Sequence, residues 1–137
     1  MTYLLDTNVV SELRRLDRVD ARVKSWADSV AIEDQYLSVL TLLEIEVGAR
    51  AIERRDKAQG AVLRGWIDNR LLPQFVGRIL PVHEAVAVRC AQLHVPNPKP
   101  DLDALIAATA LVHGLCVVTR NVADFQSMGV KLLNPWD

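Results

Sequence analysis

Cysteine is nearly absent from this chain. Among its 137 residues only Cys90 and Cys116 occur, each set among apolar neighbours. A disulfide-stapled secreted scaffold is therefore excluded, and two buried thiols in a cytoplasmic protein are expected. Glycine is also scarce, with six residues in all. There is no Gly-rich phosphate-binding loop and no Gly-x-Ser-x-Gly, which sets aside the phosphate cradles and the nucleophile elbow built on those patterns. His83, His94 and His113 are the only histidines and lack metal-ligand spacing, so a histidine-based zinc site is not expected. His113 falls at a helix end, where its charge would suit the dipole. Neither sign of charge dominates. The formal net charge is -1, so no global basic surplus marks a nucleic-acid binder. Long apolar runs are missing too. The longest uncharged stretch, "ALIAATALVHGLCVVT" from Ala104 to Thr119, contains His113 and Gly114 and is too short to span a bilayer. The start "MTYLLD" has no basic region leading into a long apolar one, so no signal peptide is expected.

What the chain does have is a core. Hydrophobic residues make up 50% of it, enough for one domain, residues 1–137, without staples. No repeat or low-complexity tract is visible. The short apolar segments "TYLL", "QYLSVL", "GRILPVH", "LCVVT" and "VKLLNPW" read as strands, the last at an edge. Between them lie "VVSELRRL", Asp20–Val30, "TLLEIEVGARAIERR", "AQGAVLRGWIDN", "EAVAVRCAQLH", "DLDALIAATALVHG" and "NVADFQSMG", which read as helices or helical turns. "VPNPKPD" is a rigid connector. Asp101 is the expected N-cap of the helix that follows it, and Gly114 is expected just past that helix's end. Strands alternating with helices predict an α/β sandwich around a mostly parallel sheet of about five strands.

In open α/β sheets, sites form beyond the carboxyl ends of the strands. Asp6 follows "TYLL" directly. Glu44 lies in the first helical turns after "YLS". Asn121 and Asp124 follow "LCVVT". Each acid has a plainer explanation. Thr41 and Glu44 fit a capping box. Asp101 and Asp103 fit a helix dipole. Any of Asp6, Thr7 and Asn8 could cap "VVSEL". However, a cap needs one residue, and three polar residues follow a buried strand here. Asp103 also points down an Ala-rich face with Ile106, Ala107 and Ala110. Unpaired carboxylates that converge must be neutralised by protons or cations. No Lys or Arg alternates with them closely. An all-oxygen donor set suits Mg2+ or Mn2+ rather than zinc, and such ions activate water for in-line displacement at a phosphodiester.

The segments "LLDTNVVSEL", "YLSVLTLLEIEVG", "DLDALIAATA", "VVTRNVADF" and "LNPW", in this order, resemble the PIN-domain family, and most of all its VapC and FitB-like toxins. The resemblance implies a Mg2+- or Mn2+-dependent ribonuclease on an α/β/α sandwich. It implies a homodimer held in check by a cognate antitoxin, which itself carries the contact with operator DNA. By position, Asp6, Glu44 and Asp103 match the catalytic, metal-binding acids. Thr7 and Asn8 match residues that support the first acid, and Thr119 matches the hydroxyl before the fourth position. There the chain departs, with Asn121 where many relatives carry Asp. Asp124 is either a substitute for it or a solvated helix acid.

Two basic stretches, Arg14–Lys24 and Arg50–Arg55, could meet RNA phosphates or an antitoxin's acids, although a solvated face explains most of them. Trp26, Trp66 and Trp136 read as core or interface residues. The Ile52 end of the long helix and Trp66 are candidates to line a groove for an antitoxin helix. Two rival functions remain. A phosphatase with Asp6 as nucleophile would want a second Asp where Asn8 stands. A binding module that has lost catalysis is favoured by Asn121 and opposed by the three retained acids.

Overall fold

The structure is a computed structural model that describes residues 1–137. Its centre is a five-stranded sheet of β1 (Tyr3–Leu5), β2 (Gln35–Ser38), β3 (Ile79–Leu80), β4 (Cys116–Val118) and β5 (Leu132–Leu133), in the order β3-β2-β1-β4-β5. Every pairing is parallel, so the sheet is parallel throughout rather than mostly. Leu4 stands beside Tyr36 of β2 and Val117 of β4. Parallel neighbours need crossovers, and the helices supply them. These are α1 (Thr7–Leu13), α2 (Ala21–Ser29), α3 (Val39–Arg55), α4 (Lys57–Trp66), α5 (Leu72–Gln74), α6 (Glu84–Leu93), α7 (Asp101–His113) and α8 (Val122–Phe125). A π-helical turn, Ile67–Leu71, joins α4 to α5.

Side chains alternate across a strand, and this splits the core in two. Leu4 and Val117 face one layer, where Val86 and Cys90 of α6 meet Ala104, Ile106, Ala107 and Ala110 of α7. Leu5, Leu37 and Val118 face the other, with Val9 and Val10 of α1, Val23 of α2, and Ile45 and Ala49 of α3. Leu4 and Leu5 are almost wholly buried, each stabilising the sheet by about 1.5–3 kcal/mol. The result is the expected three-layer α/β/α sandwich. Both thiols are free and buried, and burial pushes each above its usual range. Trp136 is buried and Trp26 packs edge-on against Tyr3.

The helix ends need two corrections. The helix α3 begins at Val39, two residues before Thr41, because the Ser38 hydroxyl accepts the backbone N–H of Leu40. The Thr41–Glu44 capping box therefore does not form, and the buried Thr41 hydroxyl has no partner. In α7, Pro100 holds the cap position and Asp101 is the first helical residue. Its side chain is 93% exposed. Gly114 does end α7 in the left-handed region, with φ 69°. No helix is long and apolar enough to cross a membrane.

The front half of α3 faces the core, and α4 folds back against the whole helix. Gly60 lies so close to it that a Cβ would sit 2.5 Å from Glu53 Cα. Arg64 of α4 then reaches Glu46 at 3.0 Å and Glu53 at 3.2 Å. Glu46 is held below the usual carboxylate range, chiefly by its hydrogen bonds from Arg64.

Candidate active site

Asp6 is the residue just past β1 and also the N-cap of α1. Its backbone N–H continues the sheet by donating to Val118 at 2.9 Å. Its side chain is 8% exposed and both oxygens are bonded. Oδ1 accepts the Thr7 backbone N–H, and Oδ2 accepts the Thr119 hydroxyl, each at 2.9 Å. Thr119 itself is buried at the end of β4. Its Oγ1 accepts Asn8 Nδ2 at 3.3 Å and the Asn121 backbone N–H at 3.0 Å. Asn8 Oδ1 in turn accepts the Arg120 backbone N–H at 3.2 Å. One network thus joins the carboxyl ends of β1 and β4 to the start of α1.

Glu44 enters from α3. The Thr7 hydroxyl donates to its Oε1 at 2.8 Å. The supporting residues act by a different route from the one expected. Thr7 holds Asp6 through its backbone and Glu44 through its side chain. Asn8 does not touch Asp6, and steadies it through Thr119.

Asp103 enters from the first turn of α7 and is half-buried. Burial raises its carboxyl above the usual range. The nearby charges of Asp6, Asp124 and Glu44 raise it further, in that order. The fold therefore brings Asp6, Glu44 and Asp124 within electrostatic reach of Asp103. Asp124 lies on α8, exposed, and its charge acts on Asp103; Asn121 supplies none. No Lys, Arg or His forms an ion pair with any of the four acids. The side chains do not form a closed metal shell, since no three Asp, Glu, His or Cys groups converge tightly enough to hold an ion. The donor set is nonetheless all oxygen and uncompensated. Mg2+ asks for one or two carboxylates and fills its remaining positions with water and phosphate oxygens, so an open arrangement suits it.

Part of the basic stretches is spent elsewhere. Arg22 pairs with Asp20, Lys24 with Asp28 and Arg50 with Glu46. Trp66 lines a cavity of about 430 Å³ with Val10, Leu13 and Phe75, and with Arg14 and Arg70. Ile52 is not among its lining residues. Sequence reasoning passed over Arg120, whose only signal is its place between Thr119 and Asn121.

Comparison with known proteins agrees with this geometry. Residues 3–131 match the PIN domain. The chain is 39% identical over 138 residues to Toxin FitB of Neisseria gonorrhoeae, covering 97% of each. It is 32% identical over 139 residues to VapC ribonuclease Y4jK of Sinorhizobium fredii, covering 98% of this chain and 97% of the other. Its fold superposes on a chain in the structure of FitAB bound to an IR36 DNA fragment with a TM-score of 0.89 at 38% identity, covering 99% and 96% of the two chains. A match over nearly the whole length, together with acids at the strand ends, makes this chain a member of the PIN-domain family.

Proposed function

We propose that this chain is a Mg2+- or Mn2+-dependent endoribonuclease, the toxin of a toxin–antitoxin pair. The observation that carries the reading is the gathering of Asp6, Glu44 and Asp124 around Asp103 with no basic side chain paired to any of them. Retaining such a cluster costs stability, and a hard cation offsets that cost. The relatives named as a toxin and as a ribonuclease support the same reading.

Asp6, Glu44 and Asp103 are the residues that would hold the metal, one or two of them directly and the rest through its bound waters, with Asp124 or Asn121 at the fourth position. The bound ion would polarise a phosphate oxygen and lower the pKa of an attacking water. The protein's own part is placement. Thr119 and the Thr7 backbone fix both oxygens of Asp6, so it cannot turn away from the site. Thr7 sets the position of Glu44 relative to it. Burial and the neighbouring acids raise the Asp103 carboxyl above the usual range, a penalty that a bound cation would offset. Hydrolysis would leave a 5′-phosphate and a 3′-hydroxyl.

The partners follow from the same family. A cognate antitoxin would cover the toxin and carry operator DNA, as the FitAB–DNA structure suggests for its own chains. The largely apolar cavity beside Trp66, which Arg14 and Arg70 also line, would suit an antitoxin segment with apolar and acidic residues. A homodimer is part of this proposal.

The test is calorimetric Mn2+ binding, followed by cleavage of a panel of structured and single-stranded RNAs. Saturable binding in the parent, lost in Asp6→Asn and Asp103→Asn, with cleavage lost in parallel, is the expected result. A second reading, a binding module without catalysis, is favoured by one observation. Asn121 engages Thr119 through its backbone and brings no charge to the site. Under that reading the antitoxin-free protein leaves every RNA in the panel intact in Mn2+.

A further inference from the structure

A site built of acids repels the polyanion it is meant to cut. The metal offsets part of that repulsion at the scissile phosphate, but the rest of the RNA backbone still needs a cation. We propose that Arg120 binds the RNA phosphate adjacent to the scissile one. This rests on the ribonuclease reading above and adds a substrate-positioning residue to it.

Arg120 is the one basic residue hydrogen-bonded into the acid network. Its backbone N–H donates to Asn8 Oδ1 at 3.2 Å. Asn8 in turn donates to Thr119, and Thr119 to Asp6. The Arg120 carbonyl accepts Asn134 Nδ2 at 3.5 Å. Thr119 and Arg120 both lie past the end of β4, and while the Thr119 hydroxyl turns to Asp6, the Arg120 side chain turns to Trp136. Its guanidinium lies 5.0 Å from the centre of the Trp136 ring. Trp136 is buried, and its backbone N–H donates to Asn134 Oδ1 at 2.9 Å. Asn134 therefore fastens both the arginine's backbone and its platform.

The charge is also free. No carboxylate pairs with Arg120. Several other arginines also pair with no carboxylate, but none of them is hydrogen-bonded into the acid network as Arg120 is. A guanidinium resting on an aromatic face keeps its edge N–H groups for a planar or forked acceptor such as phosphate. The stack also limits its rotamers, so little entropy is lost on binding. Its position one residue beyond Thr119, with its guanidinium over Trp136, places the charge beside the acids rather than among them. That geometry suits the neighbouring phosphate and leaves the scissile one to the acids and their metal.

The experiment is direct binding of a fluorescein-labelled single-stranded RNA 12-mer in EDTA, across a series of KCl concentrations. The proteins are the parent, Arg120→Gln and Arg120→Lys. Arg120→Gln should weaken binding about five- to tenfold and reduce the magnitude of the log–log salt slope by about 0.7, the loss of one phosphate contact on a single strand. Arg120→Lys should restore the slope. A merely structural role for Arg120 would instead lower the thermal midpoint of both variants and leave the slope unchanged, and that result overturns the inference. Parallel cleavage assays in Mn2+ separate the two claims. A parent that cleaves RNA while Arg120→Gln keeps the parental slope removes the role of Arg120 alone. A parent with neither cleavage nor salt-dependent binding removes the ribonuclease reading, and this inference with it.

Discussion

Thr7 stands between Asp6 and Glu44 as a spacer, and its hydroxyl reaches Glu44 Oε1 at 2.8 Å across 37 residues of sequence. Thr7→Val keeps the shape and the backbone N–H that donates to the capping Asp6 carboxylate, but releases Glu44. Stability should change by only about 1 kcal/mol, the net worth of one such bond. Cleavage of RNA in Mn2+ should fall by at least about tenfold, because a misplaced ligand misplaces the reacting groups. Thermal unfolding and initial cleavage rates check both halves. Unchanged cleavage would make the bond ornamental to activity.

Asp103 is half-buried and faces three other acids. Removing its charge relieves desolvation and repulsion together. Asp103→Asn should therefore melt higher than the parent in EDTA, by a few degrees. Mn2+ should raise the parent's midpoint and leave the variant's nearly fixed. A differential scanning run with and without Mn2+ reads both effects. A variant that melts lower in EDTA would show that Asp103 makes a structural contribution instead.

The unpartnered Thr41 hydroxyl predicts a substitution that helps. Thr41→Val replaces a buried unsatisfied oxygen with a methyl of similar shape. It should be neutral or stabilising by about 1 kcal/mol. A capping role for Thr41 would give a loss instead. Urea unfolding distinguishes the two.

Asp20 caps α2 and is held at about 2, below its ordinary 3.8, mainly by the Arg22 side-chain hydrogen bond. Its folded value is depressed, so its contribution is complete above 3.8 and disappears as pH falls towards 2. Asn is an equally good cap, so Asp20→Asn isolates the charge. The variant should be less stable than the parent at pH 6. Their urea midpoints should converge as the pH is lowered through that window. A gap that persists at the acid end would assign the effect to shape.

The strands and most helices were legible because short apolar runs end in turn-forming residues, and because α7 closes on a glycine. Asp6 was legible for the same reason, since an acid placed right after "TYLL" has one end of one strand to occupy. The misread ends have a common cause. Ser38 sits inside what looks like a continuous strand, and only its backbone turn reveals it as the cap of α3. Pro100 takes the cap position that Asp101 appeared suited to fill, and proline offers no side-chain acceptor to recognise. The bonds from Thr7 to Glu44 and from Thr119 to Asp6 span 37 and 113 residues. No local pattern encodes such partners, because the sheet order brings them together. Arg120 was passed over because its significance comes from Asn8, Asn134 and Trp136, all distant or beyond the motif that contains it.

The strand order has a consequence in time. The middle strand, β1, is the first of the five in sequence, and its neighbour β4 is the fourth. A chain emerging from the ribosome can display Asp6 early, yet the hydroxyl that fixes Asp6 arrives only with Thr119. Asp103 and Asp124 also come late. Pairings this remote in sequence close late in folding. The cluster of acids therefore cannot assemble on a half-made chain, and under the ribonuclease function proposed above the growing chain would leave the RNA around it intact until its synthesis is nearly complete.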